Sequence, residues 1–253
     1  NSKKFKIKDR VFVIAKPLGV ETNGSFSEYI TIPDKWVEKL PKKLTSKEIM
    51  MIGTSGFTAL KALNKTLGKI LKHKKIPVLV TGALSNVGMF LIFLLINMGV
   101  SVEVVTSKKN NIKILKKMGV SEVHILSNFI KTHNFSLMKE KYSVIFDNLG
   151  GNMISVCLKY LIKKGILISI GNILGNISNI NILPLILREV KIFGVNAESS
   201  GKKEREKIFQ LFKTMSLKRK SLERTKVINL TKVCKILNLR NFDKKGLRYI
   251  VKI

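Results

Sequence analysis

The stretch VLVTGALSNVGMF, residues 78–90, decides how the rest of the chain is read. Apolar residues suited to a strand run into Gly82, then a short turn, then the apolar residues of a helix. Such a unit aims the backbone N–H groups of a helix N-terminus at an anion, which is how a dinucleotide pyrophosphate is held. Gly82 allows the sharp turn after the strand, and Gly88 is expected to let the helix pack close to the sheet. The centre of such turns usually carries glycine, whereas Ser85 and Asn86 stand there in this chain. Ser85 is the smallest substitute with a side chain, and its hydroxyl can donate to phosphate. Asn86 tolerates left-handed backbone better than most residues. Alone, a degenerate G-x-x-S-x-x-G is a weak signal. Its place between two apolar strands gives it weight.

Outward from the turn, no charged residue occurs from Ile76 to Val102. A run of that length could cross a bilayer. Gly82, Ser85, Asn86, Gly88, Asn97 and Gly99 instead cut it into a strand (Pro77 to Val80), a helix (about Val87 to Met98) capped by Gly99, and a strand (Val102 to Val105). A buried βαβ unit is the better reading. About twenty residues past the turn an acid would read the ribose hydroxyls of NAD. The sequence there is VEVVTSKKNN, and Thr106, Ser107, Lys108 and Lys109 follow the strand. Hydroxyls and ammonium groups suit a 2′-phosphate and so favour NADP. An ordinary Lys-rich turn would look the same.

Composition sets the outer bounds. The 253 residues are 45% hydrophobic, enough for a real core and against disorder. The formal net charge of +31 points first to nucleic acid or an anionic membrane. Only seven of the basic residues are Arg (10, 188, 205, 219, 224, 240 and 248), and the rest are Lys. Arg is the residue of bidentate phosphate and base recognition, so the surplus reads as solvated Lys faces without a specific nucleic-acid surface. Cys157 and Cys234 are far apart and form no C-x-x-C pair. With only His73, His124 and His133 beside them there is no zinc-ligand set, and no metal is expected. Buried reduced thiols and the absence of a visible signal peptide fit a cytoplasmic protein.

Along the chain, DRVFVIA and NGSFSEYITIP read as two opening strands, which need further partners because two short strands are not stable alone. Either more chain precedes Asn1 or they pair near the C-terminus, where GLRYIVKI reads as a strand returning to them. LTSKEIMMIGTSGFTALKAL reads as helix, glycine break, helix, with Thr45 as N-cap. Beyond the central unit, NNIKILKKMGV (helix), EVHIL and YSVIFD (strands), GNMISVCLKYLIKKG (helix capped by Gly165), ILISIG and VKIFGVNA (strands) and KKEREKIFQLFKTM (helix) continue the alternation. Alternating strands and helices imply an α/β doubly wound parallel sheet of the Rossmann type.

Six segments carry a specific resemblance: GSFSEY, MMIGTSGFTAL, VLVTGALSNVG, LKKMGVSEV, VIFDNLGG and LPLILREVKIFGVNA. In this order the chain resembles the zinc-independent medium-chain dehydrogenase/reductases, most closely the NADPH-dependent acrylyl-CoA reductases and quinone oxidoreductases. The resemblance implies a partial GroES-like β domain in residues 1–46 and 221–253, around a dinucleotide-binding domain in residues 47–220. It implies that Leu84, Ser85, Asn86 and Val87, between Gly82 and Gly88, hold the pyrophosphate of NADPH. Thr106, Ser107 and Lys108 stand where the family reads the 2′-phosphate, with Lys108 in place of an Arg. Asn172 and Ile186 would line the nicotinamide side, and Ala197, where relatives carry Ser, would contribute backbone only. The first half of the family's GroES-like domain, with its tyrosine near the nicotinamide, has no counterpart here. Tyr29 reads as structural, and Asp147 is open between helix capping and catalysis, so no catalytic residue is assigned.

The implied activity is reduction of an activated C=C bond, in acrylyl-CoA or a related enoyl thioester or enone, by hydride transfer from NADPH. The basic surface could attract the phosphates of a CoA thioester. A small-molecule substrate, no membrane partner and a possible homodimer follow. The competing readings are a non-catalytic truncated remnant that at most binds dinucleotide, and a Lys-rich anion or nucleic-acid binder.

Overall fold

In chain order the computed structural model, which describes residues 2–42, 44–131, 135–214, 225–238 and 248–253, has ten strands and eight α-helices. They are β1 (Val11–Phe12), β2 (Glu38–Lys39), α1 (Ser46–Lys72), β3 (Val78–Thr81), α2 (Asn86–Asn97) and β4 (Val102–Thr106). Then come α3 (Ile112–Lys117), β5 (Glu122–Ile125), α4 (Leu126–Lys131), β6 (Tyr142–Asp147), α5 (Met153–Leu158), β7 (Leu161–Ser169) and α6 (Leu183–Arg188). The last are β8 (Lys191–Gly194), α7 (Lys202–Thr214), β9 (Thr225–Asn229), α8 (Leu230–Asn238) and β10 (Arg248–Lys252). No helix is long and apolar enough to cross a membrane among the described residues.

The elements fall into two units, one of Thr58–Asn196 with Gly201–Ser216, the other of Asn1–Phe57, Ala197–Ser200 and Leu217–Ile253. The residue pair 220/221, where the sequence reading sets a domain boundary, lies outside the described residues.

The first unit is built on a six-stranded parallel sheet in the order β5-β4-β3-β6-β7-β8. Counted within the sheet this is 3-2-1-4-5-6, the doubly wound dinucleotide-binding order. Every residue of β3, β4 and β6 is buried. Runs such as VLV and VIF lack period-two alternation because helices leave neither sheet face to water. Val80 sits opposite Val104 on one side and Phe146 on the other, all three fully buried. α2 ends as the sequence predicts: Gly99 N–H donates to Ile96 O at 2.9 Å and Val100 N–H to Leu95 O at 3.0 Å. That is a Schellman closure on a glycine at φ +70°. Gly119 closes α3 with the same bonds to Lys116 and Leu115. Cys157 is buried and unpaired, and burial pushes its thiol pKa up; the side chain of Cys234 is outside the described residues.

One sequence expectation in this unit is corrected. The helix expected over 151–165 stops at Leu158, and Gly165 lies inside β7 instead of capping a helix. Leu161 pairs with Tyr142 and Ile166 with Val144, and the irregularity between these pairs takes up the extra residues, with Lys164 at φ +57°. Pairing with β6 overrides a locally helical pattern.

In the second unit α1 opens with the expected cap: Glu48 N–H donates to Thr45 Oγ1 at 3.2 Å and Thr45 N–H to Glu48 Oε2 at 2.8 Å, a capping box. The expected glycine break falls at Gly53, φ +51° and ψ −164°. The strand assignments are corrected. β1 pairs antiparallel with β2, while residues 24–33 form no strand. Ser27 Oγ donates to Tyr29 O at 2.8 Å, a local bond that competes with a ladder. The closing strand pairs in parallel with β9 and not with the opening strands.

Candidate functional site

The turn after β3 is tightly determined. Gly82 is at φ +58°, and a Cβ there would lie 3.1 Å from Cβ of Asn148. Ser85 N–H donates to Gly82 O at 2.9 Å, and Ala83 N–H reaches Val105 O at 3.3 Å. Ser85 is the N-cap of α2, with φ −64° and ψ 156°, and its Oγ accepts from Gly88 N at 3.0 Å. The hydroxyl therefore already does the work of a capping oxygen. Asn86 is the first residue of the helix and has no positive φ, so its tolerance of left-handed backbone is not used. Gly88 is needed for a different reason than the sequence suggests. A Cβ there would stand 2.6 Å from Gly82 O and 3.1 Å from Ala83 O, so the turn itself, not the sheet, excludes it. Leu84 and Val87 flank the cap within the same turn.

The neighbouring strand ends supply the remaining expected residues. Thr106 closes β4, next to β3 in the sheet; it is buried and its Oγ1 accepts from Asn111 Nδ2 at 3.2 Å. Ser107 and Lys108 follow it and are exposed. On the other side of β3, Asn172 lies exposed beyond β7 and donates from Nδ2 to Asn176 Oδ1 at 2.5 Å. Ile186 is on α6 and 62% exposed, a large apolar side chain left facing water. Ala197 belongs to the other unit, is buried, and its carbonyl accepts from Ser200 N at 3.4 Å.

Sequence reading leaves Asp147 open and misses its partners. Asp147 ends β6 with no exposure; Oδ1 accepts from Thr81 Oγ1 at 2.5 Å and Leu149 N at 3.2 Å, and Oδ2 from Gly150 N at 2.8 Å. Asn148 completes the set, donating from N to Thr81 Oγ1 at 3.0 Å and from Nδ2 to Thr81 O at 2.8 Å. The carboxylate thus ties the ends of β3 and β6 together and caps the turn before α5. Burial pushes its pKa up, against the Thr81 hydroxyl and the Gly150 and Leu149 amides, which favour the ionised form. A Cβ on Gly171 would collide with Asn148 O, so the loop after β7 closes over the same point.

A second buried carboxylate lies toward the opposite ends of the strands. Glu103 Oε2 accepts from Lys141 Nζ at 2.7 Å and Tyr142 OH at 2.8 Å, and lies 2.7 Å from His124 Nε2. Burial alone would raise its pKa, but the bonds from His124, Lys141 and Tyr142 win and bring it down to about 2. Burial and the same carboxylate hold the Tyr142 hydroxyl well above its ordinary pKa. With Glu122, Glu103 and His124 form the one group of described residues able to offer three metal-ligand atoms within 4.8 Å of one another. Lys141 Nζ lies 2.7 Å from Glu103 and 3.5 Å from Glu122, so an ammonium stands where a cation would.

Residues 86–214 match the family model described as zinc-binding dehydrogenase. The acrylyl-CoA reductase of Ruegeria pomeroyi is 25% identical over 197 residues, covering 78% of this chain and 60% of that protein. The quinone oxidoreductase of Homo sapiens is 30% identical over 206 residues, 81% of this chain and 60% of that protein. The chain thus spans about 60% of the length of the curated relatives it matches. Among solved structures, a Bacillus subtilis protein with NAD bound is 26% identical with a TM-score of 0.91, over 100% of this chain and 77% of that one. An oxidoreductase of Salmonella enterica in complex with NADP has a TM-score of 0.90 at 22% identity, over 100% of this chain and 78% of that one. The zinc in the family's description finds no fitting donor set among the described residues, since the one candidate group is filled by Lys141. Sheet order, turn geometry and these matches agree, and the chain belongs to the zinc-binding dehydrogenase family, in the medium-chain dehydrogenase/reductase branch that includes quinone oxidoreductases and acrylyl-CoA reductases.

Proposed function

We propose that the chain binds NADPH at the turn 82–88 and serves as an oxidoreductase that reduces an activated C=C bond. The observation that carries this reading is the conjunction at the centre of the sheet. A helix N-terminus capped by Ser85 follows β3, and Ser107 with Lys108 stands exposed after the adjacent strand. The turn's N–H groups and the Ser85 hydroxyl would meet the pyrophosphate, as any residue except proline can supply the backbone donor. Ser107 and Lys108 would meet the 2′-phosphate, Lys108 as a point charge in place of a bidentate guanidinium. Asn172 and Ile186 would lie on the nicotinamide side, the exposed Ile186 offering apolar surface to the ring. NADPH, when bound, supplies a hydride for the β-carbon of an enone or enoyl thioester, and a proton completes the product at the α-carbon. Acrylyl-CoA or a related CoA thioester is the substrate class, supported by the named relatives and by a basic surface suited to CoA phosphates.

Calorimetric titration of the purified protein with NADPH and NADH tests the cofactor. Lys108→Ala is expected to weaken NADPH about tenfold and leave NADH unchanged. Consumption of NADPH on addition of acrylyl-CoA tests the reaction. Absence of NADPH binding at millimolar concentration would overturn this reading in favour of the remnant.

A further inference from the structure

Two of the usual turn glycines are missing, yet the turn after β3 keeps one defined shape, and the neighbouring loop explains why. Thr81, the residue before Gly82, uses its hydroxyl twice: it donates to Asp147 Oδ1 at 2.5 Å and accepts from Asn148 N at 3.0 Å. Its carbonyl takes Asn148 Nδ2 at 2.8 Å, so the last polar atoms of β3 before the turn are held by the β6 loop. Asn148 also lies over Gly82, with only 3.1 Å between its Cβ and a Cβ placed there. The carboxylate side is itself fixed, because Leu149 N donates to Oδ1 and Gly150 N to Oδ2, and Ile170 N donates to Asp147 O at 2.8 Å. Thr81, Asp147, Asn148, Leu149 and Gly150 are all buried, so the bonds among them have little water to relax into.

We infer that Thr81, Asp147 and Asn148 form a latch that positions the glycine-poor turn for the dinucleotide, replacing conformational choice made by glycine with restraint from the adjacent loop. None of the three needs to touch the cofactor. They act through the turn residues 82–86, and Thr81 is the pivot because it hydrogen-bonds both of the others and leads directly into Gly82. The inference rests on the cofactor reading above and adds that affinity is set below the turn more than within it.

The test is a comparison of three variants with the unaltered protein. Thr81→Val keeps the shape and removes both hydroxyl bonds. Thr81→Ser restores the hydroxyl. Tyr142→Phe removes a buried hydrogen bond to Glu103 at the start of β6, the end of that strand away from Asp147, and serves as a destabilised control. NADPH affinity is expected to fall about tenfold or more in Thr81→Val, to return to within about threefold in Thr81→Ser, and to stay unchanged in Tyr142→Phe. Amide exchange across residues 82–86, read without cofactor, should quicken in Thr81→Val alone. Unchanged affinity in Thr81→Val, or equal losses in Thr81→Val and Tyr142→Phe, overturns the latch. If the unaltered protein does not bind NADPH, the cofactor reading fails, and the exchange measurement still decides the latch: quickening confined to Thr81→Val supports it and uniform exchange overturns it. Should Thr81→Val not fold, Asn148→Ala, which removes one of the three bonds to Thr81, takes its place with the same outcomes.

Discussion

Two buried carboxylates serve the same sheet, and their surroundings set them apart. Glu103 is met by charge: the Lys141 ammonium and the His124 ring share it with a tyrosine hydroxyl. Asp147 is met by dipoles only, one hydroxyl and two backbone amides. The first therefore ionises far more readily than an ordinary acid, and the second less readily. An ammonium compensates the desolvation of a carboxylate, whereas three neutral donors do so only in part. Neutral donors fix the acid in place without setting up an ion pair at the turn.

The largest expected effect comes from removing the dipole-held acid. Asp147→Ala leaves the Thr81 hydroxyl and the Leu149 and Gly150 amides without an acceptor, and should cost about 3 kcal/mol in urea unfolding. A loss below about 1 kcal/mol would mean that the three neutral donors do not need their acceptor and that the site is dispensable to the fold.

Next is the charge-held acid. Glu103 titrates at about 2 in the folded state against 4.5 as its reference, so its contribution is complete above about 4.5 and is lost as pH falls toward 2. That shift corresponds to about 3 kcal/mol, and the partly exposed Lys141 screens some of it, leaving about 2 kcal/mol. Glu103→Gln should flatten the acid limb of the stability–pH curve in that window. Asp147 runs the other way. Its raised folded pKa makes its stabilising effect greatest below 3.8 and smaller as pH rises through the folded value. Carboxyl-carbon shifts measured against pH would sharpen the contrast, with Glu103 titrating far below Asp147. Coincident titrations would end it.

The smallest effect is expected at the turn itself. Ser85→Gly exchanges one good N-cap for another and should cost a few tenths of a kcal/mol. NADPH affinity should change less than about threefold, as read by the same titration.

The parts legible in the sequence are those whose signals are local. The strand–turn–helix at 78–90, the closure of α2 at Gly99 and the N-cap Thr45 each rest on a few residues of chain. What escaped was set at a distance. Thr81 and Asn148 are 67 residues apart, and no pattern near either announces the other. KYLIKKG spaces its apolar residues like a helix, and only the edge offered by β6 makes it a strand. The partner of the closing strand is TKVIN, a short segment whose Lys and Asn hide its strand character. Sequence reading gives Gly88 to close helix–sheet packing, whereas the carbonyls it must clear belong to the turn, whose folded path sequence does not display.

One feature of β6 bears on how the sheet keeps its alignment. The strand is tied at its first residue, through Tyr142 to Glu103, and at its last, through Asp147 to Thr81. Between these ties lie the small polar Ser143 and then Val144, Ile145 and Phe146, all buried between the two covered faces of the sheet. In a half-exposed sheet, a one-residue slip would turn every apolar side chain toward water and correct itself. A strand buried on both faces has no such penalty, because either face accepts valine or isoleucine. The polar ties act as notches that make slipped alignments count: moved by one residue, Glu103 would lose Tyr142 and Asp147 would lose Thr81 while both stay buried. Apolar exchanges in the middle of β6 should therefore be tolerated far better than polar exchanges at its ends, although the middle is the larger share of the core.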